Sequence, residues 1–208
     1  MTVMAMFPLG SNVFPHQIMP LHVFEPRYRA MFEELSSSAS PEFGIVLIER
    51  GHEVGGNEQR STVGTRVRVL QSEQFDDGRW AVIAAGIERL DVIEWLPDNP
   101  YPQAIVAPRP VVDNGGSDLN ELQAVVMETI ALQGEALEGS QSSPGYEFSN
   151  DVLERLDQLS AIAPLSDFDR QKVLAAPTTS DQMMVLLDAL ETKQLLLRAG
   201  LGASDDIG

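Results

Sequence analysis

Prolines at positions 8, 15, 20 and 26 constrain this chain more than any other feature, because each fixes φ at about −65° and removes a backbone donor. Residues 6–32 therefore cannot form one continuous helix or the middle of a sheet. They read as a strand, a shaped crossing, a short strand and a helix. Pro26 stands where a first helical turn accepts it. Tyr28, Met31, Phe32 and Leu35 follow at helical spacing, with Arg27, Arg29, Glu33 and Glu34 on the other side.

The rest of the first half reads as β. Residues 43–49 are a short apolar run suited to a strand buried on both faces. Residues 62–70 alternate Thr65, Val67 and Val69 against Arg66 and Arg68, which predicts that Val67 and Val69 face inward. Asp77-Gly78, between the runs 71–75 and 79–84, signals a hairpin with a type I′ turn, which needs positive φ at both central residues. Gly86 breaks the next run, and 87–95 and 101–108 read as two more strands joined across 97–100. Residues 108–117, with two prolines and Asn-Gly-Gly, are the natural linker.

Beyond it the period is helical. Residues 118–137 place Leu122, Val125, Val126, Thr129, Ile130 and Leu132 on one stripe. After a loop at 140–144, Val152, Leu153, Leu156 and Leu159 make a second, and 167–175 form a short third helix. A fourth begins at Thr179 or Ser180, with Met183, Met184, Leu187, Leu190, Leu195 and Leu197 as its apolar residues and Gly200 as its end. Met183 and Met184 cannot both face a bundle core.

The order Phe7-Pro8-Leu9, Phe14-Pro15 and Met19-Pro-Leu-His-Val-Phe-Glu-Pro-Arg-Tyr-Arg29 closely resembles the opening of the substrate-binding domain of Lon proteases, also found as a stand-alone protein and in cereblon. The resemblance continues through Asp77-Gly-Arg-Trp80, Gly86 to Trp95 and Pro100-Tyr101, and more loosely through Asp169 to Leu174 and the last helix. It implies a compact, PUA-like β domain. Together with the periodicity it gives an α+β fold: a β domain over 1–110 with one inserted helix, a linker over 111–116, a bundle of four helices over 117–199 and a flexible tail over 200–208.

Formal net charge is −17, and it is uneven: residues 1–110 carry nine basic and fourteen acidic side chains, residues 111–208 five and seventeen. So acidic a surface argues against nucleic acid and anionic membrane as partners. The absence of cysteine excludes disulfides, thiol catalysis and thiolate-bound metal. No apolar run approaches the roughly 20 residues that span a bilayer, and no basic region precedes the apolar N-terminus, so a cytoplasmic protein is the expectation.

Chemistry is sparse. No Gly-x-x-x-x-Gly-Lys-Ser/Thr loop is present to cradle nucleotide phosphates. A serine–lysine dyad needs a buried lysine of depressed pKa, and Lys172 and Lys193, the only lysines, are predicted on exposed helix faces. His16, His22 and His52 match no zinc spacing, and the pairs Glu33-Glu34, Asp76-Asp77 and Asp205-Asp206 read as solvated charge. No catalytic residue, metal or cofactor is assigned.

Aromatic residues are few. Phe7, Phe14, Phe24, Tyr28 and Phe32 either fill the β core or line a partly exposed apolar groove, and Trp80 and Tyr101 lie near strand ends where a ring can meet a peptide or join the core. Phe14, Phe24, Tyr28, Trp80 and Tyr101 are the candidate peptide-binding residues. The expected function is a non-catalytic module that captures unfolded or exposed-hydrophobic polypeptide, or docks to a protein partner, as the resemblance implies for a stand-alone member lacking the ATPase and peptidase domains. The alternatives are a Lon-type peptidase, which the missing motifs disfavour, and an assembly role for the acidic helical half.

Overall fold

The computed structural model describes residues 1–51, 58–115, 119–136 and 146–205, with the backbone alone over 201–205. His52, linker residues 116–118, the loop at 140–144 and residues 206–208 lie outside the described residues. The chain divides into two compact units, Met1–Pro110 and Val111–Gly208. The architecture is α+β.

In the first unit, β1 (Thr2–Leu9), β2 (Ile18–Val23), α1 (Pro26–Leu35), β3 (Glu42–Arg50), β4 (Gln59–Gln74), β5 (Trp80–Leu96) and β6 (Gln103–Pro108) follow in chain order. The strand order is β2-β5-β4-β3-β1-β6, and β5 also pairs with β6, so five strands close on themselves while β2 extends the first half of β5. β1 and β3 are parallel, and the other pairs are antiparallel. β1 is thus an interior strand despite Pro8. Its pairing with β6 covers only Thr2 to Ala5, so Pro8 sits where that neighbour has ended.

β3 is buried on both faces, as its unbroken apolar run predicts. Phe43 and Ile45 join one core cluster and Val46 the other. α1 closes the larger cluster with Tyr28, Met31 and Phe32, and its two rings meet their neighbours tilted or edge-on. Phe7 and Tyr28 are 4.1 Å apart between centroids, and Phe32 lies 5.3 Å from Phe43 and 6.4 Å from Trp80. Each such buried side chain contributes about 1.5–3 kcal/mol. Val67 is fully buried and Val69 packs partly buried against the same cluster.

Two strand readings need correction. Residues 62–75 hold one strand, not two: β4 runs on to Gln74 with a register shift between Val69 and Gln71, a bulge that leaves Leu70 exposed. β5 likewise continues through Gly86, with a register shift just beyond it between the pairs Val67–Gly86 and Arg66–Glu88. The glycine is there for close approach, because a Cβ would stand 2.1 Å from the Phe14 carbonyl oxygen, and Gly86 exchanges backbone bonds with His16 and Gln17 of the crossing. The hairpin at Asp77-Gly78 forms, but only Gly78 has positive φ, +80°. Gly78 N–H donates to Phe75 O at 2.8 Å, which makes 75–78 a type I turn ending in a left-handed glycine rather than a type I′ turn.

The second unit holds α2 (Leu119–Ala136), α3 (Val152–Ile162), α4 (Asp167–Ala175) and α5 (Thr179–Asp205). α5 continues past Gly200. A glycine in a helix costs only about 1 kcal/mol, and Ala199, Leu201 and Ala203 around it favour helix. Thr178 caps α5, its Oγ1 accepting from Asp181 N–H at 3.1 Å. Asn114 adds to the cap, its Oδ1 accepting from Ser180 N–H at 3.1 Å, while Val112 bridges to Thr178.

The buried stripe of α5 shares only Leu190 with the predicted one. It is Gln182, Leu186, Leu190 and Gln194, spaced by four, while Met184 and Leu195 are exposed. Gln182 Nε2 donates to Asp157 Oδ1 and Ser160 Oγ, both at 3.1 Å, and Gln194 Nε2 donates to Thr129 Oγ1 at 2.8 Å. A buried amide is tolerated because it is bonded, which hydropathy alone does not reveal.

Candidate functional site

The structure separates the five aromatic candidates. Phe14 is fully buried beside the crossing, Tyr28 and Trp80 are in the larger β core, and Tyr101 is buried with its hydroxyl donating to Glu34 Oε2 at 2.7 Å. Phe24 alone projects, 53% exposed.

Phe24 stands at the mouth of an open cavity of about 200 Å³ in the β unit. Phe7, Pro8 and Leu9 from the end of β1 form one wall and Pro20, Leu21 and His22 from β2 form the other, while Tyr28 of α1 lies between them. The position follows from the pairing. Among the described residues, β1 past Met6 pairs with β3 alone and β2 pairs with β5 alone, so the two strands line the groove without a ladder between them. Pro8 and Pro20, on the two sides of the groove, have no N–H to share across it.

The chemistry of the groove is apolar with a polar margin. Burial holds the Tyr28 hydroxyl well above the usual tyrosine pKa, with Arg27 opposing and Glu58 adding to the shift, so it stays a neutral donor at any physiological pH. That hydroxyl has no hydrogen-bond partner among the described residues. The Arg27 guanidinium lies 4.5 Å from the Tyr28 ring centroid and pairs with Glu25 at 3.2 Å. Next along this margin Glu58 is buried, bonded to Arg60 at 2.7 Å, and Arg60 in turn grips Asp98 and covers the Trp95 ring.

Leu9, Pro20 and His22 were not among the candidates. For Pro20 and His22 the signal is the alternation of Ile18, Pro20 and His22, exposed, against Met19, Leu21 and Val23, turned inward, and Leu9 has no comparable one. Among the described residues, no group of three or more His, Asp or Glu side chains could hold a metal ion. Lys172 pairs with Asp169 at 3.0 Å on the surface. No described helix is long and apolar enough to cross a membrane.

The β unit is a largely closed barrel with one helical cover and an open apolar groove, and a helical unit follows it in the chain. The chain belongs to the family of the ATP-dependent protease La (Lon) substrate-binding domain, whose model matches residues 3–192. The match is to that domain, not to the protease or ATPase domains. Similar curated proteins are the Lon protease of Anaeromyxobacter dehalogenans, 23% identical over 94% of this chain, and that of Nitrosococcus oceani, 24% identical over 86%. The chain spans 24% of the length of each. Among solved structures it resembles a Lon N-terminal domain protein from Xanthomonas campestris, with a TM-score of 0.62 at 21% identity, covering 90% of this chain and 98% of that one. It also resembles the N-terminal domain of a Mycobacterium avium complex Lon protease, with a TM-score of 0.59 at 15% identity, covering 91% and 98%. Both likenesses are of fold.

Proposed function

We propose that this chain is a non-catalytic recognition module that captures unfolded or exposed-hydrophobic polypeptide through the groove beside Phe24. The observation that carries this reading is the exposure of Phe24 at the mouth of an open apolar groove, in a chain of a substrate-binding family. A single exposed apolar side chain is ordinary by itself, and it is the open apolar cavity beside Phe24 that makes this the default place for an apolar ligand group. A groove of this size suits one aliphatic or aromatic side chain rather than a folded surface, and the acidic surface disfavours nucleic acid and anionic membrane as competitors.

The test is binding of reduced, carboxymethylated α-lactalbumin, which cannot refold, followed by fluorescence anisotropy. Phe24→Ser should weaken binding by about tenfold, equivalent to about 1.4 kcal/mol, with the melting temperature little changed. Equal affinity for the variant, or equal affinity for native and unfolded forms of the probe, removes the reading. Casein incubated with the protein, with and without ATP, should remain intact.

A further inference from the structure

Among the described residues β2 pairs with β5 alone, and its other edge has an uneven supply of hydrogen-bonding groups. In an antiparallel ladder, hydrogen-bonded pairs use the N–H of both residues and alternate with pairs whose backbone groups point away. Pro20, opposite Ile83, has no N–H, so its pair is of the second kind, and by alternation so are Ile18 opposite Ala85 and His22 opposite Ala81. The free edge thus carries three outward carbonyls, of Ile18, Pro20 and His22, but only two outward N–H groups. Across the groove, Met6 N–H donates to Pro102 O at 2.8 Å on the side away from β3. By the same alternation Pro8 turns a carbonyl, and no N–H, towards that side.

Resting on the reading above, we propose that an extended, proline-free segment of the polypeptide client adds to β2 as a further strand, seating one apolar side chain in the groove between β2 and β1. Every residue of such a segment carries an N–H, which the edge itself lacks at Pro20. Pro20 fixes the register, because the client residue facing it can donate but finds nothing to accept from. The Tyr28 hydroxyl, buried and unpartnered among the described residues, lies in the same groove as a donor for a client carbonyl or polar tip. A second copy of β2 is the poorer complement, since it sets one proline-interrupted edge against another. Edge prolines also discourage non-specific pairing. Here they restrict partners to those that supply donors.

Residue-resolved amide hydrogen exchange of the full chain, with and without saturating carboxymethylated α-lactalbumin, tests this. Strand addition slows exchange at Ile18 and His22 by about tenfold or more and leaves Met19 and Leu21, already bonded to β5, unchanged. Saturation without that protection overturns strand addition while leaving side-chain capture by the groove intact. Failure of the probe to bind at all overturns both. Protection that rises with protein concentration in the absence of the probe assigns the edge to a second copy and overturns the proposal. Pro20→Ala restores the missing donor and should tighten probe binding several-fold, and unchanged or weaker binding by this variant, if folded, counts against the proposal.

Discussion

Arg29 of α1 lies across Gly78 at the tip of the β4–β5 hairpin, its guanidinium filling the space where a side chain at position 78 would begin. A Cβ there would stand 1.8 Å from Nη2 of Arg29, and Gly78 has a φ of +80°. The clash is with the movable end of a long side chain, so it is cheaply relieved, whereas the left-handed backbone is not. Gly78→Ala should therefore cost about 1–2 kcal/mol, nearly all from φ. Both tryptophans, Trp80 and Trp95, lie in the β unit, so urea unfolding followed by their fluorescence reports this unit alone. Combining Gly78→Ala with Arg29→Ala should recover little of the loss.

Gly86 is the opposite case. The atom nearest a Cβ at that position is the Phe14 carbonyl oxygen, 2.1 Å away, and the Phe14 carbonyl carbon follows at 3.0 Å. Backbone cannot swing aside. Gly86→Ala must push the crossing off β5, breaking the bonds from His16 N–H to Gly86 O and from Gly86 N–H to Gln17 O. A loss of about 3 kcal/mol or more is expected, larger than at Gly78 although φ here is ordinary. Comparing the two urea midpoints checks the ranking.

These glycines show where the sequence was legible and where it was not. Local chemistry was readable: Pro26 at the start of α1, the apolar run of β3 and the hairpin before Trp80 all follow from propensities within a few residues. Gly86 was read as a break because its reason lies in Phe14, far along the chain, and no local pattern encodes that approach. The α5 stripe was misread for a related reason, since Gln182 and Gln194 are buried only because Asp157, Ser160 and Thr129 meet them. Of the groove, Phe24 and Tyr28 were visible as aromatics. Leu9, Pro20 and His22 were not, because their placement depends on which strand edges pairing leaves free.

Tyr101 ties the start of the last β-unit strand to α1 through Glu34. Burial first, then the hydrogen bond to Glu34 and its charge, push the phenol up to about 12. An acid whose pKa is raised by folding holds its proton more tightly in the folded state, so its contribution is fully present below the unfolded value of about 10 and is lost as pH rises through the folded value. Stability of the β unit should accordingly be flat through neutral pH and fall between pH about 10 and 12, with Tyr28 adding to the fall from the same cause. Tyr101→Phe should lower stability at pH 7 by about 1–2 kcal/mol, the worth of a hydrogen bond to a charged acceptor, and make the alkaline decline shallower. Urea midpoints at pH 7, 9, 10 and 11 measure both. An unchanged alkaline slope in the variant would mean that Tyr101 does not carry it.

In the helical unit, Thr129 of α2 and Gln194 of α5 are best tested as a pair. Thr129 Oγ1 donates to Val125 O at 2.7 Å and accepts from Gln194 Nε2 at 2.8 Å, and both residues are buried. Thr129→Val keeps the shape but leaves Gln194 Nε2 with only a long 3.5 Å contact to Val125 O, while Gln194 Oε1 still accepts from Arg198 at 3.3 Å, so it should cost about 1–3 kcal/mol. Gln194→Leu alone removes the amide and leaves the threonine hydroxyl still bonded to its own helix, so it should be milder. Replacing both converts the contact to an apolar one of similar volume, and the double variant should be more stable than Thr129→Val alone. Urea unfolding followed by circular dichroism at 222 nm, with the tryptophan signal of the β unit as an internal reference, gives the coupling energy. Strict additivity of the two substitutions would mean that the hydrogen bond contributes nothing beyond packing.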